Sequence, residues 1–151
     1  MAYHESVTDR PSVAVLSEIL GALHAIEARL EESLEPLGLS LAKFGALAEL
    51  VEAGEPIALG ALADRCACVR SNITQLVDRL EADKLVVRSD DPHDRRSVRA
   101  TLTPEGRSRH DAALRALHRA EQDVLSRIPT EHRESFFGTL ELLKGVRTAA
   151  L

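Results

Sequence analysis

The chain has 151 residues, about the length of one domain, and its 44% of hydrophobic residues are enough to bury a core. Aromatic residues make up only 3%, and this composition favours helices over an all-β sandwich or barrel. Two cysteines are too few for a disulfide framework. No apolar run reaches the ~18 residues of a membrane-spanning helix, and the N-terminus lacks a secretion pattern. We therefore expect a cytoplasmic protein that does not associate with membranes.

The net charge of −5 is unevenly distributed along the chain. Residues 65–109 contain ten basic and seven acidic residues, a net charge of +3, whereas the remainder has a net charge of −8. A basic middle within an acidic frame is typical of a protein that meets a polyanion with one face only, although ordinary charge clustering also produces it.

Helical patterns dominate the first half of the chain. Residues 1–9 are polar and predict a flexible arm, after which Leu and Ile at spacings of three and four predict a long helix over 10–36, with Asp9 as N-cap and Pro11 in its first turn. Ser40 predicts the cap of a second helix that ends at Gly54. A short third helix over 59–66 and a fourth over 69–82, with an apolar stripe and a polar face, indicate a helix-turn-helix.

The pattern changes to β-prone residues after Lys84. Residues 85–88 and 97–102 predict a two-stranded hairpin, or wing, with a long charged tip over 89–96. Thr103 and Pro104 predict the start of a fifth helix that runs to about Ile128. A sixth helix follows, with an apolar face that extends to Val146.

These elements predict a mainly α fold with an α+β wing, in the order α1-α2-α3-α4-hairpin-α5-α6. A winged helix-turn-helix module occupies 37–107, and the long helices of 10–36 and 108–151 lie outside it. These outer helices carry more apolar surface than the module can cover, so we expect them to interlock with those of a second chain in a homodimer.

Four motifs in this order resemble the MarR family (multiple antibiotic resistance regulators). They are Leu39-Ser40-x-x-x-Phe44, Asn72 to Glu81, Asp91 to Ser97 and Leu102-Thr103-Pro104-Glu105-Gly106. The resemblance is specific over about 37–107 and implies a dimeric winged helix-turn-helix regulator, most often a repressor. The chain departs from the family at Lys84, where Gly is usual, and at Ala58, where a capping Ser or Thr is usual.

The polar face of the fourth helix is the candidate reader of double-stranded DNA, since one helix fits the major groove. Gln75 suits a bidentate contact to adenine, and Arg70 suits guanine or phosphate. The full set of candidates on this helix is Arg70, Ser71, Asn72, Thr74, Gln75 and Arg79. A solvated helix face with no ligand would show similar residues.

The wing supplies the second set of candidates, Asp94, Arg95, Arg96 and Ser97. The resemblance implies that Arg96 enters the minor groove while Asp94 holds its guanidinium, which is favourable because a narrow minor groove concentrates negative potential. Arg95 suits a phosphate contact. The alternative is a local Asp–Arg pair in the turn with no ligand.

Cys66 and Cys68 are expected to be buried structural thiols beneath the fourth helix, with a redox or metal role as the less favoured alternatives. The six His residues are scattered, so we expect solvated or interface histidines; His110 and His118 would serve only a less favoured zinc-sensing alternative. No motif indicates an enzyme, a metal site or a cofactor.

The sequence thus predicts a homodimeric regulator of pseudo-palindromic operators, controlled by a small-molecule effector that binds between the outer helices and the winged module. The residues of the effector site are not predicted. The alternatives are a redox- or metal-responsive regulator of the same fold, a winged module that binds protein, and a fragment of an enzyme.

Overall fold

The computed structural model describes residues 12–144, apart from the side chains of Ser12 and Arg95. The predicted arm over 1–9, the cap at Asp9 with Pro11, and Val146 of the last helix lie outside the described residues. Within them the predicted fold class is confirmed, as the chain forms six α-helices and one small three-stranded antiparallel sheet. No helix in this range is both long and apolar enough to cross a membrane.

The elements follow the predicted order. The helices are α1 (Ser12–Leu34), α2 (Leu41–Ala53), α3 (Leu59–Arg65), α4 (Arg70–Ala82), α5 (Pro104–Ser126) and α6 (Thr130–Lys144). The strands are β1 (Ile57–Ala58), β2 (Val86–Asp91) and β3 (Asp94–Leu102), and a 3-10 turn (Glu35–Leu37) follows α1.

Local capping determines several of these boundaries. The Ser40 hydroxyl accepts a hydrogen bond from the Lys43 amide at 3.2 Å, and the Thr103 hydroxyl accepts one from the Gly106 amide at 2.9 Å. Gly54 ends α2 with a φ of 67°, a left-handed conformation that glycine adopts without strain. Ala58 occupies the capping position before α3 and provides no side-chain hydrogen bond, in keeping with the missing Ser or Thr at this position.

The wing differs from the predicted hairpin in two respects. The supposed loop over 89–96 is mostly strand, because β2 and β3 pair as far as Asp91 and Asp94, which leaves a two-residue turn. The sheet also has a third strand, in which Ile57 of β1 pairs with Ala100 of β3. Both differences have a reason in the sequence. Residues 87–90 all face solvent, so they lack the alternation of apolar and polar residues that predicts a strand. β1 has only two residues and is too short to show such a pattern.

The core lies inside the winged module. Its largest fully buried side chains come from α1, α2, α3, α4 and the start of the wing: Leu34, Leu47, Leu62, Ile73, Val77, Leu80, Leu85 and Val86. α1 and α5 pack along each other, and each also contributes a buried residue to the core, Leu34 and Ala113. α6 buries none of its residues within the single chain.

Candidate DNA-binding surface

α4 presents one apolar and one polar face because its buried residues recur at helical spacing. Ile73, Val77 and Leu80 are buried in the core. The opposite side of the helix is solvent-exposed and carries every candidate predicted on it: Arg70, Ser71, Asn72, Thr74, Gln75 and Arg79. The core contacts of α4 therefore hold these six polar side chains outward.

The N-terminus of α4 lacks a side-chain cap. Val69 occupies the capping position and offers no polar side chain, while its carbonyl accepts from the Asn72 and Ile73 amides. The Thr74 hydroxyl donates to the Arg70 carbonyl at 3.0 Å. An uncapped helix N-terminus attracts anions such as phosphate, so the start of α4 is suited to the backbone of a nucleic acid.

The wing presents Asp94 and Arg96 to solvent and leaves Ser97 half-buried, while the side chain of Arg95 lies outside the described part of the structure. Asp94 holds the wing turn in a different way from the one that the resemblance implied. Its Oδ1 accepts a hydrogen bond from the backbone amide of Arg96 at 3.0 Å, and not from the guanidinium. A carboxylate two residues before an amide forms such a turn locally, without help from the side chain of Arg96.

A groove of about 750 Å³ brings part of the two candidate sets together. α4 contributes Arg70 and Thr74 to it, and the wing contributes Asp94, Arg96 and Ser97. Of the other candidates on α4, Asn72, Gln75 and Arg79 border a separate cavity of about 280 Å³ toward α2, and Ser71 borders neither of the two. The candidate surface therefore has two neighbouring parts on either side of α4.

The arginines of this surface differ in their partners. Arg70, Arg79 and Arg96 form no ion pair with a carboxylate in the part of the chain that the structure describes. Arg88 of β2, by contrast, is held by two carboxylates of α4, Asp78 and Glu81, the latter at 2.6 Å. Three arginines are thus available to a polyanion, while the fourth braces the wing against α4.

The Arg88 brace was not predicted from the sequence. The backbone amide of Arg88 also donates to Glu81, at 3.1 Å. The hydrogen bonds from the side chain and the amide of Arg88 hold the pKa of Glu81 below its ordinary value. Arg88 lies seven residues after Glu81 and ten after Asp78, on the other side of a turn. Helical and strand periodicity describe one element at a time, so they do not predict such a contact.

A second unpredicted ion pair stabilises the wing itself. Asp91 is nearly buried and accepts from Nε of Arg99 at 2.7 Å and from the His93 amide at 2.9 Å. The hydrogen bond from Arg99, followed by that from the His93 amide, lowers the pKa of the Asp91 carboxyl. The wing turn therefore closes around an ionised Asp91.

Two expectations about other residues need correction. Cys66 and Cys68 are half-buried against the core instead of fully buried. His110 was expected at the solvent or an interface, but it is buried and its ring stacks on Phe44 at 5.4 Å, because the facing surface of α2 supplies an aromatic partner. Within residues 12–144 no group of three or more His, Cys, Asp or Glu side chains is placed to hold a metal ion.

The comparison with family models assigns residues 37–97 to the MarR family. Among curated relatives, the transcriptional repressor MdtR of Bacillus subtilis is 30% identical over an alignment of 104 residues, and the match covers 66% of this chain and 66% of the relative. The regulator YsmB of the same organism is 37% identical over 75 residues, covering 50% of this chain and 51% of the relative. The chain spans about half the length of the first curated relatives it matches.

Solved structures match over nearly the whole chain. A MarR-family transcriptional regulator from Rhodococcus sp. RHA1 has 27% identity and a TM-score of 0.70, with 92% of this chain and 95% of that one covered. Sco3205 of Streptomyces coelicolor, a MarR-family regulator solved in complex with DNA, has 25% identity and a TM-score of 0.73, with 90% and 91% covered. Family and fold are those of transcriptional regulators, which are not enzymes. The motifs, the winged module and these matches show that the chain belongs to the MarR family of winged helix-turn-helix transcriptional regulators.

Proposed function

We propose that the protein is a homodimeric repressor that binds a pseudo-palindromic DNA operator. The groove shared by α4 and the wing carries this proposal, because it places Arg70 and Arg96, both without an ion-pair partner in the described residues, on one surface. α4 enters the major groove with its polar face, and Arg96 of the wing enters the adjacent minor groove. Arg95 contacts phosphate.

In this proposal the winged module over 37–107 binds DNA, and the regions 10–36 and 108–151 form the dimer. In the described residues, most large hydrophobic side chains that remain exposed lie on α1, α5 and α6: Val13, Val15, Leu16, Ile19, Leu20, Leu23, Leu114, Phe137, Leu142 and Leu143. A monomer rarely exposes so much contiguous apolar surface, and a second copy covers it with the same helices.

We place the effector at the junction where α1, α2 and α5 meet. Two contacts of α5 cross this junction, since Arg109 donates to the Leu37 carbonyl at 2.7 Å and His110 stacks on Phe44 of α2. A ligand that shifts α5 against α2 therefore changes the orientation of the winged module relative to the dimer axis, and with it the spacing of the two α4 helices.

Selection of binding sites from random duplex DNA tests this function. We expect the purified protein to enrich a pseudo-palindrome whose half-sites lie about one helical turn, roughly 10 base pairs, apart. Titration of that site at several salt concentrations is expected to show affinity that falls steeply as salt rises, since phosphate contacts release counterions.

A scrambled duplex of the same length and composition is the control. Absence of any enriched sequence, together with DNA affinity that does not depend on salt, would contradict the proposal and favour a winged module that binds protein.

A further inference from the structure

The turn between α3 and α4 contains two thiols separated by one residue. Cys66 follows the last residue of α3, Cys68 lies two residues before α4, and Ala67 between them has a φ of 50° in the left-handed region. The amides of Cys66 and Cys68 donate to carbonyls of α3, Leu62 at 2.9 Å and Ala63 at 3.0 Å. The backbone of this turn is thus tied to α3, and the turn leads directly into α4.

Both thiols border the same cavity. It has a volume of about 240 Å³, and its other walls are largely apolar residues of α2 and α4, including Leu41, Gly45 and Leu76. An apolar cavity of about 150 Å³ is enough to hold benzene, so this one has room for a small aryl or alkyl group. Because Cys66 and Cys68 are half-buried, they can be reached from solvent.

The ligand count restricts what this pair can bind. A structural zinc ion needs four protein ligands, and within residues 12–144 no group of three or more suitable side chains exists. A soft atom that already carries one carbon substituent and takes two sulfur ligands can be bound by the two cysteines alone. Burial, the neighbouring Cys68 and Glu49 raise the pKa of Cys66, so its thiol is protonated at neutral pH and reacts slowly as a nucleophile.

We propose that Cys66 and Cys68 form a dithiol site for a monosubstituted trivalent arsenical whose organic group lies in the cavity against α2. The reaction is a condensation: R–As(OH)₂ and two thiols give R–As(S–Cys)₂ and two molecules of water. Two As–O bonds break and two As–S bonds form, and each thiol proton leaves with a hydroxyl group as water. Arsenic remains trivalent, so no oxidant or reductant takes part.

Occupancy of the site closes a ring across Ala67 and changes the geometry of the turn that leads into Arg70. We expect the protein with a bound arsenical to release its operator. This part of the proposal rests on the proposed DNA binding. The arsenical would then act on the orientation of α4 from within the winged module.

Phenylarsine oxide and native mass spectrometry test the site directly. We expect one phenylarsenic group per chain and the loss of both free thiols, with retention in the presence of excess glutathione and release by a small dithiol. Cys66→Ser and Cys68→Ser are each expected to weaken retention by about 100-fold, since the second sulfur acts at a high effective concentration. Titration of free thiols in the wild-type chain gives a readout that does not depend on the folding of any variant.

Binding of two arsenicals per chain, or loss of only one thiol, would overturn the dithiol site, as would equal retention by wild type and either single variant. DNA titration separates the two halves of the proposal. Release of the selected operator by the wild-type chain but not by either variant supports the coupling, and a loaded chain that still binds the operator overturns the coupling. A chain that selects no DNA refutes the proposed function and leaves the mass measurement as the test of the site.

Discussion

Arg96 lies at the tip of the wing, exposed, with its amide held by Asp94 and its side chain in the groove that faces α4. In the proposed complex this side chain contacts the minor groove. We expect Arg96→Ala to weaken operator binding by roughly 1–3 kcal/mol, the range of one well-placed recognition contact. The melting temperature is expected to stay nearly unchanged, because an exposed side chain contributes little to the core.

Two comparison variants make the Arg96 titration specific. Gln75→Ala is expected to relax discrimination at one base pair while the salt dependence remains nearly intact, because a contact to a base releases no counterion. Asp94→Ala is expected to weaken binding less than Arg96→Ala, since the positive charge remains and only the turn is loosened. Wild-type affinity in Arg96→Ala would show that the wing does not contact DNA as proposed.

Gly106 occupies a position where no other residue fits. A Cβ built there would overlap the carbonyl oxygen of Leu85 and lie 2.8 Å from Cδ1 of Leu102. We expect Gly106→Ala to lower the free energy of unfolding by about 3 kcal/mol or more, because backbone must move to make room. Gly45→Ala is the matched control, since its Cβ would meet nothing within 4 Å and alanine favours helix. Equal urea midpoints for the two variants would contradict the close packing at Gly106.

Lys84 adopts a φ of 61°, at the position where the family usually has Gly. A left-handed conformation costs a residue with a Cβ roughly 1–2 kcal/mol, and replacement by glycine removes this cost. Part of the resulting stabilisation is offset by the greater freedom of glycine in the unfolded chain. We therefore expect Lys84→Gly to raise the free energy of unfolding by about 1 kcal/mol. Urea denaturation measures this, and a lower stability would mean that the Lys84 side chain contributes more than its conformation costs.

At the level of secondary-structure elements, the Arg88 brace links the wing to α4. Asp78 and Glu81 belong to α4 and Arg88 to β2, so the three side chains connect the two elements that form the proposed DNA-binding surface. Without Arg88 the two carboxylates would lie beside the proposed path of the phosphate backbone and repel it. The brace therefore connects the wing to α4 and also neutralises negative charge near the groove.

The brace makes the wing sensitive to acid. The folded pKa of Glu81 is below its unfolded value, so its contribution to stability is fully present above the unfolded pKa and is lost as the pH falls through the folded pKa. Glu81→Gln is expected to melt at a lower temperature than wild type at pH 7, and this difference in melting temperature is expected to shrink as the pH falls below the unfolded pKa. Asp90→Asn, an exposed change in β2, the strand that carries Arg88, is the control. A difference in melting temperature that stays constant with pH would contradict this role of Glu81.

In the molecule as a whole, α1 exposes an apolar face in the single chain. Leu16 and Leu20 remain 60% and 53% exposed in the single chain, and α6 buries nothing there. We expect the wild-type chain to be a dimer at micromolar concentration, and Leu20→Glu to dissociate it, because a carboxylate cannot be buried unpaired in an apolar interface.

Sedimentation equilibrium measures the mass of each species. Val87→Glu is the control, since Val87 is 50% exposed but lies in the wing, away from the proposed interface, and this variant is expected to remain dimeric. A stable folded wild-type monomer under these conditions would contradict the proposed assembly.

Features that depend on residues close together in the chain could be predicted from the sequence alone. Ser40, Gly54 and Thr103 marked helix boundaries because a cap acts within three or four residues of itself, and the spacing of Ile73, Val77 and Leu80 identified the buried face of α4. The order of four short motifs was enough to indicate the family.

Contacts between residues that are distant in the chain could be identified only from the folded arrangement of the elements. The pairing of Ile57 with Ala100, the stacking of His110 on Phe44 and the capture of Arg88 by Asp78 and Glu81 depend on contacts between separate elements. Sequence periodicity describes which side of one element is buried, but it carries no information on the partner that covers it. For that reason the cavity beside Cys66 and Cys68, like the groove between α4 and the wing, became visible only once the elements were packed together.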